Sequence, residues 1–298
     1  MRGGAGVAGE TGPKRNEPMR LQTYTSAKEF LLRAGPPLER DEARNSLILG
    51  AAAGVNGDAA PEGSLLATAE DAGGLALAAM MAPPHPLVLA SDRESLEPAL
   101  EPLVRHLRER GTFPSAVVAP RAIAERFALL WSRASQQGAR VAMQQRLYAL
   151  TEVRPLTSPR GRLRRAGVED GELVAAWMTA FHAEAMGEMT AAQASATADR
   201  RLAAGEIYLW EDGEPRAMAA RARPTRGTVA VNAVYTPRGG REHGYATACV
   251  RHLSKALLQE GFRMCVLFTD LANPTSNSVY TRIGYAPVCD FSLYRFGP

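Results

Sequence analysis

The chain has 298 residues, of which 46% are hydrophobic and 22% are charged. This composition is that of an ordinary globular protein and excludes a fibrous chain, and the length accommodates one large domain or two of ordinary size. The formal net charge of +4 comes mainly from arginines spread along the chain, and a basic balance suits a polyphosphate ligand.

The first residues predict a flexible lead-in. Residues 1–18 mix Gly, Pro and charged residues without an apolar core of signal-peptide length. The longest apolar stretches, residues 73–84 and 116–119, are too short to span a bilayer. We therefore expect a cytoplasmic protein with no membrane partner.

The N-terminal half, taken as residues 19–156, has the pattern of an α/β domain. Trp131 and Tyr148 are interpreted as core residues because aromatic side chains dominate buried cores. The apolar spacing predicts strands near Leu21, Ser64, Leu75, Pro86, Ser115 and Arg140, and helices at Ala27, Leu38, Glu94 and Arg121.

The C-terminal half, residues 157–298, begins in the stretch RPLTSPRGR, whose prolines and glycine predict an exposed connection and a boundary near Thr157. Four arginines cluster here without interleaved aromatics, so we interpret them as a solvated linker face and expect no nucleic acid. They are Arg160, Arg162, Arg164 and Arg165. Beyond them, periodicity predicts helices over residues 172–186, 190–204, 244–260 and 275–283, and strands over 206–211, 215–224, 227–236, 262–269 and 286–296.

The two halves show nearly the same order of elements, which indicates a degenerate internal duplication. The alternative is that any α/β chain of this size offers a similar string of helices and strands. The three cysteines, Cys249, Cys265 and Cys289, show no CxxC spacing. Neither a disulfide framework nor a metal site is therefore expected.

The most informative segment is VYTPRGGREHGYATA, residues 234–248, in which a predicted strand stops at Pro237 and a glycine-rich loop leads into a helix. Pro237 lacks an N–H group, and glycines allow the loop to turn tightly. The loop N–H groups and the positive end of the helix dipole then form a seat for a pyrophosphate. The rival phosphate motifs GxxxxGK[ST] and strand-to-helix GxGxxG are absent from the sequence.

Arg241, Gly244 and Ala246 in this loop fit the R/Q-x-x-G-x-G/A pattern, so the segment resembles the GNAT-type N-acetyltransferases. A second segment, LANPTSNSVYTRIGY at residues 271–285, resembles the N-x-x-A-x-x-L-Y-x-x-x-G-F segment of that superfamily. Its matching residues are Asn273, Ser276, Val279, Tyr280, Gly284 and Tyr285, with Ser for Ala, Val for Leu and Tyr for Phe as departures.

The resemblance implies a mixed, mostly antiparallel sheet with splayed central strands, here in two tandem halves. It implies acetyl-CoA as acyl donor, without a metal, and a pantetheine arm held between the strands at residues 228–236 and 263–269. The residues expected to bind the cofactor are Val234, Tyr235, Thr236, Arg241, Glu242, His243, Gly244, Tyr245, Ala246, Thr247, Asn273, Ser276 and Asn277.

The same resemblance implies that the Tyr280 hydroxyl protonates the departing thiolate. The attacking amine must be neutral, so a base is also required. Glu184 is the preferred base, and His182, Glu188 and Asp270 are the other candidates. Each of these four residues is a surface or capping residue in the alternative interpretation.

The N-terminal half offers no second cofactor loop, because the corresponding segment carries Asp92, Glu94 and Glu97 and no glycine. We expect this half to shape the acceptor groove or a homodimer contact. The expected reaction is direct attack by a primary amine of a small molecule or peptide within a ternary complex. The alternatives are a non-catalytic module that binds acyl-CoA or a partner, and a tandem transferase like the mycothiol synthases or the cell-wall aminoacyl transferases.

Overall fold

The computed structural model describes residues 18–55, 60–185, 187 and 189–297. The expected lead-in, apart from Pro18, lies outside the described residues. In the N-terminal half, the strands are β1 Arg20–Thr23, β2 Leu65–Asp71, β3 Gly74–Met81, β4 Leu87–Ala90, β5 Ala116–Pro120 and β6 Gly138–Leu150. The helices are α1 Ala27–Leu38, α2 Glu42–Ala53, α3 Glu97–Glu109 and α4 Arg121–Ser135.

The C-terminal half repeats this order of elements. Its strands are β7 Arg162–Arg165, β8 Ile207–Asp212, β9 Glu214–Ala222, β10 Thr228–Tyr235, β11 Met264–Asp270 and β12 Ala286–Gly297. Its helices are α5 Gly171–Ala185, α6 Ala191–Ala203, α7 Tyr245–Gln259 and α8 Pro274–Ile283. Each half therefore runs as strand, two helices, three strands, helix, strand, helix, strand, and every one of these elements except β7 is predicted from the sequence.

All described strands belong to one twelve-stranded sheet with the order β1-β2-β3-β4-β5-β12-β6-β11-β10-β9-β8-β7. In each half one pair is parallel, β4 with β5 and β10 with β11, and the other neighbours are antiparallel. The predicted mixed, mostly antiparallel sheet with two tandem halves is confirmed.

The last strand of each half lies in the sheet of the other half. Strand β6 pairs with β11, and β12 pairs with β5, while β6 and β12 pair with each other at the centre. The predicted boundary near Thr157 falls between β6 and β7 along the chain. In space, however, each half lends its final strand to the other, so the two halves share one sheet.

Helices cover both faces of the sheet. Side chains alternate between faces along a strand: Leu77 and Ala79 of β3 pack with α3 and α4, whereas Ala78 and Met80 pack with α1 and α2. In the C-terminal half, α7 and α8 lie on the α3–α4 face, and α5 and α6 lie on the α1–α2 face. Among the described residues, no helix is long and apolar enough to cross a bilayer.

The arginine cluster differs from its predicted role as a linker face. Residues Arg162–Arg165 form edge strand β7, which is antiparallel to β8. Arg164 binds Asp170 at 2.7 Å and also pairs with Glu211 of β8. The interpretation was wrong because it considered the arginines alone, and their acidic partners lie up to 49 residues away in the sequence.

A buried carboxylate joins the two halves. Glu42 at the start of α2 accepts hydrogen bonds from the Thr225 hydroxyl at 2.5 Å and the Gly227 amide at 2.8 Å, and it pairs with Arg263. Burial by itself raises the pKa of Glu42, but these hydrogen bonds outweigh burial and lower that pKa below its usual value. Helix α2 is thereby fixed over the C-terminal half.

Helix α2 also approaches the chain that follows β9. A Cβ atom at Gly50 would lie 2.6 Å from the Arg223 Cβ and 2.7 Å from the Arg223 carbonyl oxygen. Real Cβ atoms do not approach a backbone so closely, so this contact requires glycine.

We predict that Gly50→Ala lowers the free energy of unfolding by about 1–3 kcal/mol, because α2 must move away from the C-terminal half. Alanine has the higher helix propensity by about 1 kcal/mol, so propensity alone predicts stabilisation. The control is Gly171→Ala, where φ is −54° and the nearest atom to a new Cβ is 4.0 Å away. Urea unfolding of both variants gives the sign of the change in the free energy of unfolding. Stabilisation by Gly50→Ala would contradict the close packing of α2 on Arg223.

Candidate functional site

The two parallel strands of the C-terminal half separate along their length. Strands β10 and β11 pair only from Thr228–Met264 to Ala230–Val266. Further along, a bulge shifts the register of β10 against β9, and Ala233 in this bulge has a φ of +48°. The β10 edge at residues 231–235 is therefore unpaired on its β11 side within the described structure, and a cleft opens there.

The loop after β10 places a helix start at the mouth of this cleft. Pro237 ends the strand, Arg238–Gly240 form a short 3-10 turn, and Gly244 with a φ of +79° precedes α7. No side chain of the described residues caps α7, and its first turn contains no acidic residue. The N–H groups of the first turn thus remain free for an anion.

Other helices of this half contrast with α7. Thr190 caps α6 through the Gln193 amide at 3.3 Å, and Asn273 caps α8 through the Ser276 amide at 3.0 Å. Arg241, Glu242, His243 and Gly244 are exposed, and a Cβ at Gly239 would have nothing within 4 Å. The uncapped helix start is therefore open to a ligand.

Arg241 lies in the glycine-rich loop as predicted, but its guanidinium is paired with a carboxylate, Glu184. Its guanidinium donates to Glu184 at 2.6 Å and to the Thr236 carbonyl oxygen at 3.1 Å, and it lies 6.0 Å from the centre of the Tyr235 ring. Arg238 is a second partner of Glu184 at 3.5 Å. The hydrogen bond from Arg241 is the largest cause that lowers the pKa of Glu184.

The remaining predicted residues of the loop face different surroundings. Val234 is half-buried at the cleft edge, and Tyr235 packs against Trp177 of α5 at 6.1 Å. His243 stacks on Tyr245, whose hydroxyl donates to Asp212 at 3.1 Å. Three further residues contribute mainly backbone or an unpaired hydroxyl: Ala246 and Thr247 lie in the first turn of α7, and the Thr236 Oγ1 atom is buried without a partner among the described residues.

Helix α8 supplies the second group of predicted residues. Asn277 donates to the Asp270 and Asn273 carbonyl oxygens at 2.9 and 2.7 Å, and its Oδ1 accepts from the Tyr148 hydroxyl at 2.9 Å. This side chain therefore ties α8 to β11 and β6 rather than facing solvent. Sequence analysis missed Tyr148 as a partner, because it lies 129 residues away in the chain.

Tyr280 projects from α8 into the core beside Tyr285, with ring centres 6.0 Å apart. The Tyr285 hydroxyl is bound to Ser254 at 2.8 Å, whereas the Tyr280 hydroxyl has no hydrogen-bond partner in the described part of the chain. Burial raises the pKa of Tyr280 to about 12. The phenol is therefore protonated at neutral pH and has a proton available to donate.

The candidate bases differ in their surroundings. Burial lowers the pKa of His182, so its imidazole is neutral at neutral pH. Asp270 accepts from the Ala272 amide at 2.8 Å and thus caps the turn after β11. Glu188 lies outside the described residues. The ion pair with Arg241 favours a positioning role for Glu184 over the role of a base, since a low pKa weakens a base.

The segment between β4 and α3 of the N-terminal half corresponds to the loop between β10 and α7, but it carries acidic side chains. The Ser91 hydroxyl donates to the Ala76 carbonyl oxygen at 2.6 Å, and Arg93 pairs with Asp71 at 3.1 Å. Helix α3 carries Glu97 in its first turn, where α7 has no acid. A carboxylate at that position repels a phosphate. Within the described residues, no cluster of His, Cys, Asp and Glu has the geometry of a metal site.

Comparison with known proteins gives a family match for part of the chain and a fold for most of it. Residues 170–285 match the sequence model of the acetyltransferase (GNAT) family. No curated protein matches the chain in sequence. The matched segment contains α7 and α8, with both predicted cofactor segments.

Solved structures match nearly the whole chain at low identity. A GNAT-family acetyltransferase from Colwellia psychrerythraea is 13% identical with a TM-score of 0.56, covering 93% of this chain and 98% of its own. A GCN5-related N-acetyltransferase from Sphaerobacter thermophilus is 16% identical with a TM-score of 0.60, covering 93% and 95%. A tandem GNAT protein from the clavulanic acid biosynthesis pathway is 12% identical with a TM-score of 0.50, covering 94% and 99%. These similarities show the fold.

Proposed function

We propose that this chain, whose residues 170–285 form a domain of the acetyltransferase (GNAT) family, transfers an acetyl group from acetyl-CoA to a primary amine. One observation carries the proposal: the uncapped start of α7 opens beside the cleft between β10 and β11. Anion-binding N–H groups and an unpaired strand edge are what a pyrophosphate and an amide-containing arm require. The acceptor is proposed to be a small molecule or a peptide.

The residues present fit acetyl-CoA. The N–H groups of Tyr245, Ala246 and Thr247 would hold the pyrophosphate, and Arg241 would add a positive charge. The free edge of β10 at Val234 and Tyr235 would bind the pantetheine amides. Acetyl-CoA supplies the activated acetyl group as a thioester.

Tyr280 is the proposed general acid. It lies on α8, which packs against α7 and against β11, and β11 is one of the two strands that border the cleft. Its hydroxyl is protonated and, in the described structure, without a hydrogen-bond partner, as a proton donor for a leaving thiolate requires. The retained tyrosine favours catalysis over simple binding of acyl-CoA, because binding alone needs no acid.

The proposed function predicts that CoA raises the melting temperature much more than ATP, NAD or FAD does. A ligand at 100 times its Kd stabilises the fold by about 2.7 kcal/mol. Gly244→Asp should abolish the shift, because it places a negative charge beside the phosphates. The control is Gly111→Asp, where φ is +62° and a new Cβ meets nothing within 4 Å. No shift of the melting temperature with millimolar CoA would refute the cofactor site. A shift with CoA, without thiol release from acetyl-CoA in the presence of any amine, would support a non-catalytic module that binds acyl-CoA.

We predict that Tyr280→Phe lowers kcat by about 10²–10⁴ with little change in acetyl-CoA affinity, because only the proton donor is lost. Both constants are measured with any accepted amine. Tyr294→Phe, which removes a hydroxyl from β12 where that strand pairs with β5 of the N-terminal half, is the control. An unchanged kcat would make Tyr280 a structural residue, and equal losses in rate and affinity would mean that its hydroxyl positions the cofactor.

We predict that Glu184→Gln strengthens CoA binding up to about fivefold, since the phosphates no longer compete with Glu184 for Arg241 and an exposed ion pair is worth at most about 1 kcal/mol. Glu260→Gln removes a comparable pair with Arg221 at the other end of α7 and should leave the affinity unchanged. Calorimetry measures both. If Glu184 is the base instead, kcat falls and the affinity for CoA stays the same.

A further inference from the structure

A valley lies over β10 on the face opposite α7. Helix α2 of the N-terminal half and α5 of the C-terminal half both pack on β10, and both lie on the same face of the sheet. The unpaired edge of β10 is the boundary between this valley and the cleft. A molecule in the valley therefore reaches the cleft from the side away from the phosphate loop.

The floor of the valley contains a fixed arginine. Arg201 of α6 is largely buried, and its guanidinium donates to Glu206 at 2.9 Å, to the Arg221 carbonyl oxygen at 3.1 Å and to Asn232 Oδ1 at 2.9 Å. Asn232 immediately precedes Ala233, the residue of the bulge in β10. These contacts hold a positive charge beside the unpaired edge.

A second arginine lies next to the first without a partner. Arg223 follows β9 with a φ of +45°, an unusual conformation for a residue with a side chain, and α2 packs on its backbone at Gly50. In the described part of the chain its guanidinium makes no ion pair or hydrogen bond, although it is only partly exposed. Burial and the nearby charge of Arg201 lower the pKa of Arg223 to about 10.

This arrangement lacks one negative charge. Glu206 pairs with Arg201, so the positive charge of Arg223 remains uncompensated in a partly buried position within the described structure. Burying an unpaired charge is costly, and such a charge is normally matched by a partner. The planar guanidinium matches a carboxylate with two parallel hydrogen bonds.

We propose that the valley between α2 and α5–α6 binds an amine acceptor that carries a carboxylate, and that Arg223 pairs with this carboxylate. This inference rests on the proposed acetyl transfer. Arg201 is a positioning residue, because it occupies Glu206 and Asn232 Oδ1 and leaves the guanidinium of Arg223 available to the acceptor. The N-terminal half contributes through Gly50, which permits the close approach of α2, so both halves form the acceptor site.

The test compares amines that differ only in a carboxylate, 4-aminobutyrate with propylamine and lysine with cadaverine, in thiol release from acetyl-CoA. We expect kcat/KM for the carboxylated member to be at least about tenfold higher, as for a charged hydrogen bond. Arg223→Met should bring this ratio close to one, with the larger loss of kcat/KM for the carboxylated member. Arg223→Lys keeps the positive charge but cannot form two parallel hydrogen bonds, so it should retain part of the preference for the carboxylated amine.

The matched control is Arg226→Met, which removes an exposed arginine from the same connection between β9 and β10. It should keep the full preference. The melting temperature and its shift with CoA are measured for every variant, so that a folding defect is recognised. If Arg223→Met does not fold, Arg223→Lys tests the inference in its place. Turnover without preference in the parent, or a preference that survives Arg223→Met, overturns the inference alone. Absence of CoA stabilisation, or of turnover with every pair, overturns the proposed function and the inference with it.

Discussion

The central pairing of β6 with β12 is the constraint on which the rest of the structure depends. These strands pair along almost their whole length, from Ala286–Ala149 to Gly297–Gly138. Each is the final strand of its half, and each completes the sheet of the other half. Because the sheet is continuous across this pair, α2 of one half comes to lie over β10 of the other. The valley and its close contact at Gly50 follow from the strand exchange.

Duplication with exchange allows the two halves to diverge in chemistry while they keep one fold. Both halves contain a parallel pair that meets over only a few residues, β4 with β5 and β10 with β11. Among the described residues, both pairs lead to a helix without a side-chain cap, but only the second leads through a glycine-rich loop to a first turn without an acidic residue. The first leads to Glu97, which pairs with Arg126. The N-terminal half thus keeps the strand arrangement without the glycine-rich loop, and its helix α2 packs on β10 and β11 of the other half.

Sequence alone predicted most elements within a few residues, because apolar periodicity and the turn residues Gly and Pro are local properties. It also predicted the loop at Gly244. It did not predict the strand exchange, the Tyr148–Asn277 hydrogen bond or the Arg241–Glu184 pair, since these join residues far apart in the chain. Arg223 had no motif around it, and its positive φ, its contact with α2 and its lowered pKa appear only in the folded chain.

The environment of Tyr280 limits how it can act as an acid. An ordinary thiol has a pKa of about 8.5, so a phenol with a pKa of about 12 gives up its proton to an exposed thiolate unfavourably. In the proposed reaction the leaving thiolate would form in the same buried surroundings, and burial raises the pKa of a thiol for the reason that it raises that of a phenol. The difference in pKa between the two groups would therefore narrow inside the cleft. A hydrogen bond from Tyr280 would stabilise the charge of the thiolate as it develops, and Tyr280 would give up its proton as the thiolate leaves.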